Sequence, residues 1–200
     1  MTETPTATPP FASANLLLEF VNTQPGPKRA RDLLDDRAAL VEWLTSQNLY
    51  DGEAVITDAD AAAIRELRGA YTIVFREHVG CVQGAELLGG AEQLLRAYGQ
   101  RYPLTPVIEA GGCTFQPSHT GIVGVFETLL AAAVDLTTRD LWPRLRMCSS
   151  SSCYQGFYDR TRNSSGRYCS MRCSQQAASH AYRDRQKKSC ATEVAATRAV

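Results

Sequence analysis

Two close pairs of cysteines near the C-terminus constrain this 200-residue chain more than any other feature. Cys148 and Cys153 form a C-x4-C pair, Cys169 and Cys173 a C-x3-C pair, and fifteen residues separate the two. Each pair is a short chelate, and the segment between them lets both converge on one ion, which is what a tetrahedral thiolate site needs. Thiolates are soft donors, so the expected cofactor is one structural Zn²⁺ per chain, with an iron centre as second choice. Four sulfurs close the coordination sphere and leave no open position for a catalytic water. Two disulfides are a competing reading. An uneven total of seven cysteines and an N-terminus without an export signal favour a reducing compartment, hence a cytoplasmic location. A further alternative puts His180 in place of one cysteine. Cys81, Cys113 and Cys190 have no partner at ligand spacing; the first two read as core or half-buried thiols and Cys190 as an exposed tail residue.

Charge divides the chain in the same place. Residues 1–143 carry 10 Lys/Arg against 18 Asp/Glu, a balance of −8, whereas residues 144–190 carry 10 Lys/Arg against Asp159 and Asp184, a balance of +8. Zinc and four thiolates would lower the basic segment by two and leave it clearly positive. An acidic body with a basic end suggests that the basic end faces a polyanion. No apolar run reads as long enough to span a bilayer, so no membrane partner is expected.

Residues 1–12 begin MTETPTATPP and read as a disordered tail. Asn15–Asn22 is apolar and fits a helix or a buried strand. Arg29, Arg31 and Asp32 follow in a polar stretch without an evident role. Helices are expected over Asp36–Asn48, with Asp35 or Asp36 as cap, over Asp58 to about His78, with Thr57 or Asp58 as cap, and over Ala85–Gly99. Thr105–Gln116 reads as a β-hairpin around Gly111-Gly112, and Gly121–Thr138 as a buried helix. Beyond the first cysteine pair, Tyr154, Phe157 and Tyr158 can cover the metal. The polar run from Asp159 to Arg167 then turns the chain back to Cys169, giving an order of knuckle, hairpin, knuckle. Ser170 can cap a helix running to about Lys188. Met171, Ala178, Ala181 and Tyr182 share one face of it, and Arg172, Gln176, Arg183 and Lys187 another. That layout suits a treble-clef-like finger.

The fold class expected is therefore mainly α (α+β): a helical N-terminal domain with a small β-hairpin, and a C-terminal treble-clef-like zinc finger. The run L-R-M-C-x4-C-x3-F-Y-D-x-T-R-N-x3-R-Y-C-S-M-R-C resembles the CGNR-type zinc finger. The N-terminal L-L-L-E-F-V-N-T, with R-D-L-L and V-E-W-L after it, resembles the ABATE domain that usually precedes that finger. The matches touch most of residues 15–188, the middle only in its helical character. The resemblance implies a bacterial transcription regulator with a helical body and a DNA-binding finger, and carries Cys148, Cys153, Cys169 and Cys173 over as metal ligands. It places an ABATE-like domain at 13–143, the finger with its basic helix at 144–188 and a flexible tail at 189–200. One departure is plain: where the family has Cys-Gly-Asn-Arg, this chain reads Cys173-Ser174-Gln175-Gln176. The family's arginine is missing there, while Arg183, Arg185, Lys187 and Lys188 remain.

Three function classes follow. The leading one is a zinc-finger DNA-binding transcriptional regulator, its N-terminal domain serving for ligand sensing or dimerisation. Arg160, Arg162, Arg167, Arg172, Arg183, Arg185, Lys187 and Lys188 would neutralise phosphates. Gln175 and Gln176, with Arg172 or Arg183, could reach base edges. Docking of the basic helix on the acidic body is the rival. The second class is an enzyme or small-molecule binder with a purely structural zinc. Its candidate pocket residues are Asn22, Arg31, Asp32, His78 and His119, though no nucleophile motif, paired-acid spacing or cofactor signature supports a named reaction. The third is a protein–protein adaptor. DNA, a small-molecule effector or substrate, and a second copy in a homodimer are the partners these readings name.

Overall fold

Helix α3, Asp58–Glu77, is the spine on which the chain assembles. Ile64, Leu67, Tyr71, Val74 and Phe75 recur at three- and four-residue steps and are all buried. Thr57 caps its start in a reciprocal capping box with Asp60. The computed structural model describes residues 10–197 apart from 27, 28, 51, 53 and 83. Helices α1 (Pro10–Val21) and α2 (Arg37–Ser46) pack on α3, α4 (Ala85–Arg101) lies along it, and α5 (Gly121–Thr138) lies along α1. Strands β1 (Thr105–Glu109) and β2 (Gly112–Gln116) form the expected antiparallel hairpin, with Glu109 opposite Gly112 across the turn. A short 3-10 turn at Trp142–Arg144 leads into β3 (Leu145–Met147), which pairs antiparallel with β4 (Gly156–Tyr158). Helix α6, Met171–Thr197, closes the chain. The protein is thus mainly α, with two small antiparallel sheets and a cysteine cluster near its C-terminus.

Several expectations change. The ambiguous Asn15–Asn22 stretch is helical, because Ala14, Leu17, Phe20 and Val21 form one buried face at helical spacing. Helix α1 starts at Pro10, inside the segment expected to be disordered at 1–12; proline is tolerated at a first helical position, where its missing N–H is an orphan anyway. Residues 1–9 lie outside the described residues. Helix α6 runs on to Thr197, past the flexible tail expected at 189–200, since Ala191 to Thr197 contains no glycine or proline to end it. By length and composition α5 is apolar enough to cross a membrane, contrary to the sequence reading. Its Val125, Phe126, Leu129 and Leu136 are buried in one cluster with α1 and α3 residues, which marks it as a core helix.

That cluster also takes in Leu145 and Met147 of β3. The β3–β4 hairpin is therefore seated on the helical body, β3 against α3 and β4 against α1. Trp142 stands edge-on to Tyr71, Phe75 and His78 just ahead of β3. Asn22 clamps β4 from the end of α1: its amide donates to the Gly156 carbonyl at 3.1 Å and its Oδ1 accepts from the Gly156 N–H at 2.7 Å. Gly156 has to be glycine at this approach, as a Cβ there would lie 2.7 Å from Val21 Cγ2.

Candidate metal centre

The first cysteine pair is held by the β3–β4 hairpin. Cys148 follows β3 directly and its N–H donates to the Gln155 carbonyl at 2.9 Å, while Cys153 lies three residues before β4. The first knuckle is thus the turn of the hairpin, and the expected order of knuckle, hairpin, knuckle is corrected: the polar run 159–167 folds as an irregular loop instead. Cys169 comes just before α6 and Cys173 sits in its first turn, where Ser170 Oγ accepts from the Cys173 N–H at 3.3 Å.

The four Sγ atoms all lie within 4.8 Å of one another. Cys153 and Cys169 are 3.6 Å apart, and Cys169 and Cys173 3.7 Å. Zinc–sulfur bonds of about 2.3 Å make the edge of a tetrahedron about 3.8 Å, so the spacing fits one ion. A disulfide, at about 2.05 Å, does not fit, and all four thiols are free. His180 is exposed on α6 and takes no part in the cluster. Burial and the neighbouring sulfurs push the Cys169 thiol far above its ordinary value, and burial raises that of Cys153. The hydrogen bond with Ser170 lowers that of Cys173. Four sulfurs this close cannot all ionise without a cation among them, which is the electrostatic case for a divalent metal. Zinc bound there would cross-link the hairpin to α6. Phe157 and Tyr168 pack against the cysteines. Of the three aromatics expected to cover the metal, Phe157 does so, Tyr154 is 54 % exposed and Tyr158 packs on the body core.

A second organiser, Asp159, was not visible in the sequence. It is 1 % exposed and accepts from the N–H groups of Thr161 and Gly166 at 2.9 and 2.8 Å. Arg146, 7 % exposed, approaches it at 3.4 Å and donates to the carbonyls of Pro143, Ser164 and Gly166. Arg144 donates to the carbonyls of Asp159 and Thr161. Burial opposes the charge on Asp159, yet the bonds from Thr161 and Gly166 and the charge of Arg146 outweigh it and hold the carboxyl below its ordinary value. Arg144 and Arg146 therefore belong to the scaffold. The loop they hold displays Arg160, Arg162 and Arg167, all exposed. Asp159→Asn is expected to keep zinc at one per chain but to loosen this loop by roughly 2 kcal/mol, the cost of an ionic hydrogen-bond network half removed. Amide exchange would then speed up at Thr161 and Gly166 and stay unchanged at Cys148; unchanged exchange at Thr161 and Gly166 would contradict the role given to Asp159.

On α6, Arg172, Gln175, Gln176, Arg183 and Arg185 are exposed. The side chains of Lys187, Lys188 and Cys190 lie outside the described residues. Residues 174–183 are exposed apart from the half-buried Ala177, so the acidic body does not cover this stretch of helix.

The five candidate pocket residues do not converge. Asn22 holds Gly156, as above. Asp32 accepts two hydrogen bonds from Arg68, each at 2.6 Å, and so ties the 29–36 segment to α3. Arg31 is an exposed partner of Asp35 and Asp36. His78 Nδ1 donates to the Leu145 carbonyl at 2.7 Å, and burial keeps its imidazole below the ordinary value, hence neutral. His119 donates to the fully buried Glu127, which also accepts from the Ser118 and His119 N–H groups and so fixes the loop before α5. Polar side chains at element ends look alike in sequence whether they line a pocket or fasten two elements; here all but the exposed Arg31 fasten.

A helical body with a closed four-cysteine centre at the start of a basic helix defines a zinc-finger protein. Residues 14–140 match the ABATE family, described as "Putative stress-induced transcription regulator", and residues 144–186 match the CGNR zinc finger. The first match alone covers well over half of the chain, which belongs to the ABATE family. No curated protein matches it. The family and the cysteine cluster together fit one structural zinc.

Proposed function

We propose that this chain is a cytoplasmic DNA-binding transcription regulator whose zinc holds the reading surface and whose helical body senses a ligand or dimerises. The observation that carries this reading is α6. It is 27 residues long, about 40 Å at 1.5 Å per residue, and its described side chains from Ser174 to Arg183 are exposed except for the half-buried Ala177. A helix of this kind gains little from its own propensity and needs an external partner. Its exposed Arg172 and Arg183 suit phosphates and guanine edges, and Gln175 and Gln176 suit adenine edges. The Asp159-clamped loop adds Arg160, Arg162 and Arg167 on a scaffold fixed before binding, which lowers the ordering cost of each phosphate contact. The glutamines where the family has Asn-Arg shift the cationic contacts toward this loop and the lower part of α6.

The test is a salt series on duplex DNA with the zinc-loaded protein. Reversal of Arg160, Arg162 and Arg167 to Glu is expected to abolish binding near physiological salt. Arg183→Ala is expected to reduce the slope of log affinity against log salt by about 0.9, one phosphate contact. Unchanged affinity and slope in both variants would remove the finger from the interface.

A further inference from the structure

The body carries a groove of about 680 Å³ that no fastening interaction above uses. Its walls are α1 (Ser13, Leu16, Glu19), α5 (Ala131, Asp135) with Arg139 just past its end, and strand β2, with Gln47 and Leu49 also lining it. A volume of this order suits a small organic ligand. The groove exists because the β1–β2 hairpin stands off the helices: all five residues of β2 are exposed, and Phe115 turns a 40 % exposed ring to the groove. Opposite it are the small or aliphatic side chains of Leu16, Ala131, Ala132 and Val134. An aromatic or alkyl body in the gap would cover apolar surface on both sides.

Charge selects the other end of the ligand. Among the described residues the groove is lined by Glu19, Glu109 and Asp135, and by Arg139 as its one cation. Arg139 Nε donates to Asp135 Oδ1 at 2.7 Å, and Ser13 Oγ donates to Asp135 Oδ2 at 2.7 Å, which fixes that carboxylate on the wall. Glu19 and Glu109 make no ion pair among the described residues, so the groove as a whole favours a cation.

From this geometry we propose that the groove binds a small organic cation, an ammonium or amidinium head on an aromatic or alkyl body, and that this molecule is the effector. The proposal rests on the sensing role given to the body above. Both walls lead directly to the finger. Helix α1 presents Leu16 and Glu19 to the groove, and Leu18, Val21 and, just past its end, Asn22 to Gly156 of β4. Helix α5 runs through the Trp142 turn into β3. An occupant that shifts α1 against α5 therefore moves both strands that carry the first cysteine pair.

Phenethylamine is the probe, with phenylacetate as its charge-reversed counterpart, titrated by calorimetry into the full-length zinc-loaded protein without DNA. Phenethylamine is expected to saturate with a dissociation constant of about 1 mM or tighter, ordinary for a fragment of this size, and to protect Cys113, an exposed groove residue, from iodoacetamide. Phenylacetate is expected to give no heat. Ala131→Phe, which fills the groove, and Asp135→Asn, which removes a negative charge while keeping an acceptor for Ser13, should each weaken phenethylamine about tenfold or more. Circular dichroism of both variants checks that they fold. Silence with phenethylamine, equal binding of phenylacetate, or wild-type affinity in both variants would overturn the groove assignment. With DNA present, saturating phenethylamine is expected to change the DNA dissociation constant severalfold in the wild type and not in Ala131→Phe; no change in the wild type would overturn the effector role. Because occupancy is read without DNA, a failure of DNA binding would sink the regulator reading and leave the groove titration standing.

Discussion

Cys173→Ser is expected to abolish stable zinc binding and, with it, the fixed position of α6. The effect is large because structural zinc supplies apparent binding free energy of about 10–16 kcal/mol near neutral pH, comparable with the whole stability of a domain, about 5–15 kcal/mol. Among the described residues nothing else ties α6 down: its first turn is held by Cys173, and residues 174–183 are almost wholly exposed. The damage should stop at the hairpin. Leu145 and Met147 belong to the body core, and Asn22 holds Gly156 without help from the metal. Zinc content by atomic absorption should fall from one per chain to near zero. Amide exchange should become fast in α6 up to residue 185 and remain slow in α1, α3, α5 and β3, and at Thr161 and Gly166, which Asp159 holds. Full zinc retention would refute the ligand assignment. Collapse of the body along with the finger would refute the independence of its core.

Asp32→Ala is expected to destabilise the body by about 3–5 kcal/mol, the usual cost of leaving one partner of a buried ion pair uncompensated. Arg68 is 7 % exposed, and without Asp32 only Thr23 Oγ1, at 2.8 Å, accepts from it among the described residues. For a chain of this length the melting temperature should fall by about 10 °C, followed by circular dichroism. The pH dependence has a definite sign. Burial opposes the Asp32 charge, but the bonds from Arg68 and the Leu34 N–H and the charges of Arg68 and Arg65 outweigh it, so the folded carboxyl titrates below its ordinary value. Its stabilisation is then complete above the unfolded value of about 4 and is lost as pH falls through the folded one. The gap between wild type and variant should be constant from pH 8 to about 5 and narrow below about 4. A gap equally wide at the acid end would contradict the ion pair as its source.

Periodicity and spacing made much of this molecule legible. The α2 and α3 patterns carry their own caps in Asp36 and Thr57, and the hairpin turn carries its glycines. The cysteine ligands could be read because four soft donors at chelate spacing have few other uses. Long-range polar fastening was not readable. Asp32 and Arg68 lie 36 residues apart, and Asn22 and Gly156 lie 134 apart, and no local pattern marks either pair. Arg68 looks like an ordinary charge on a helix until the 29–36 segment folds over it. Asp159 looks like the start of a solvated loop, although it is almost wholly buried. The charge division was correct in sum, but Arg144 and Arg146 act as scaffold rather than as interface. The groove was missed because it depends on how far the β1–β2 hairpin stands from α5, which the strand pattern alone does not encode.

DNA reading by the zinc-held finger is tested by selection from random duplex DNA with the zinc-loaded full-length protein, run beside the Cys173→Ser variant at the same salt. The wild-type protein is expected to enrich a sequence and to bind it less as salt rises, and the variant to enrich none. Equal enrichment by both proteins, or none by the wild type at low salt, would contradict a zinc-organised DNA-reading surface.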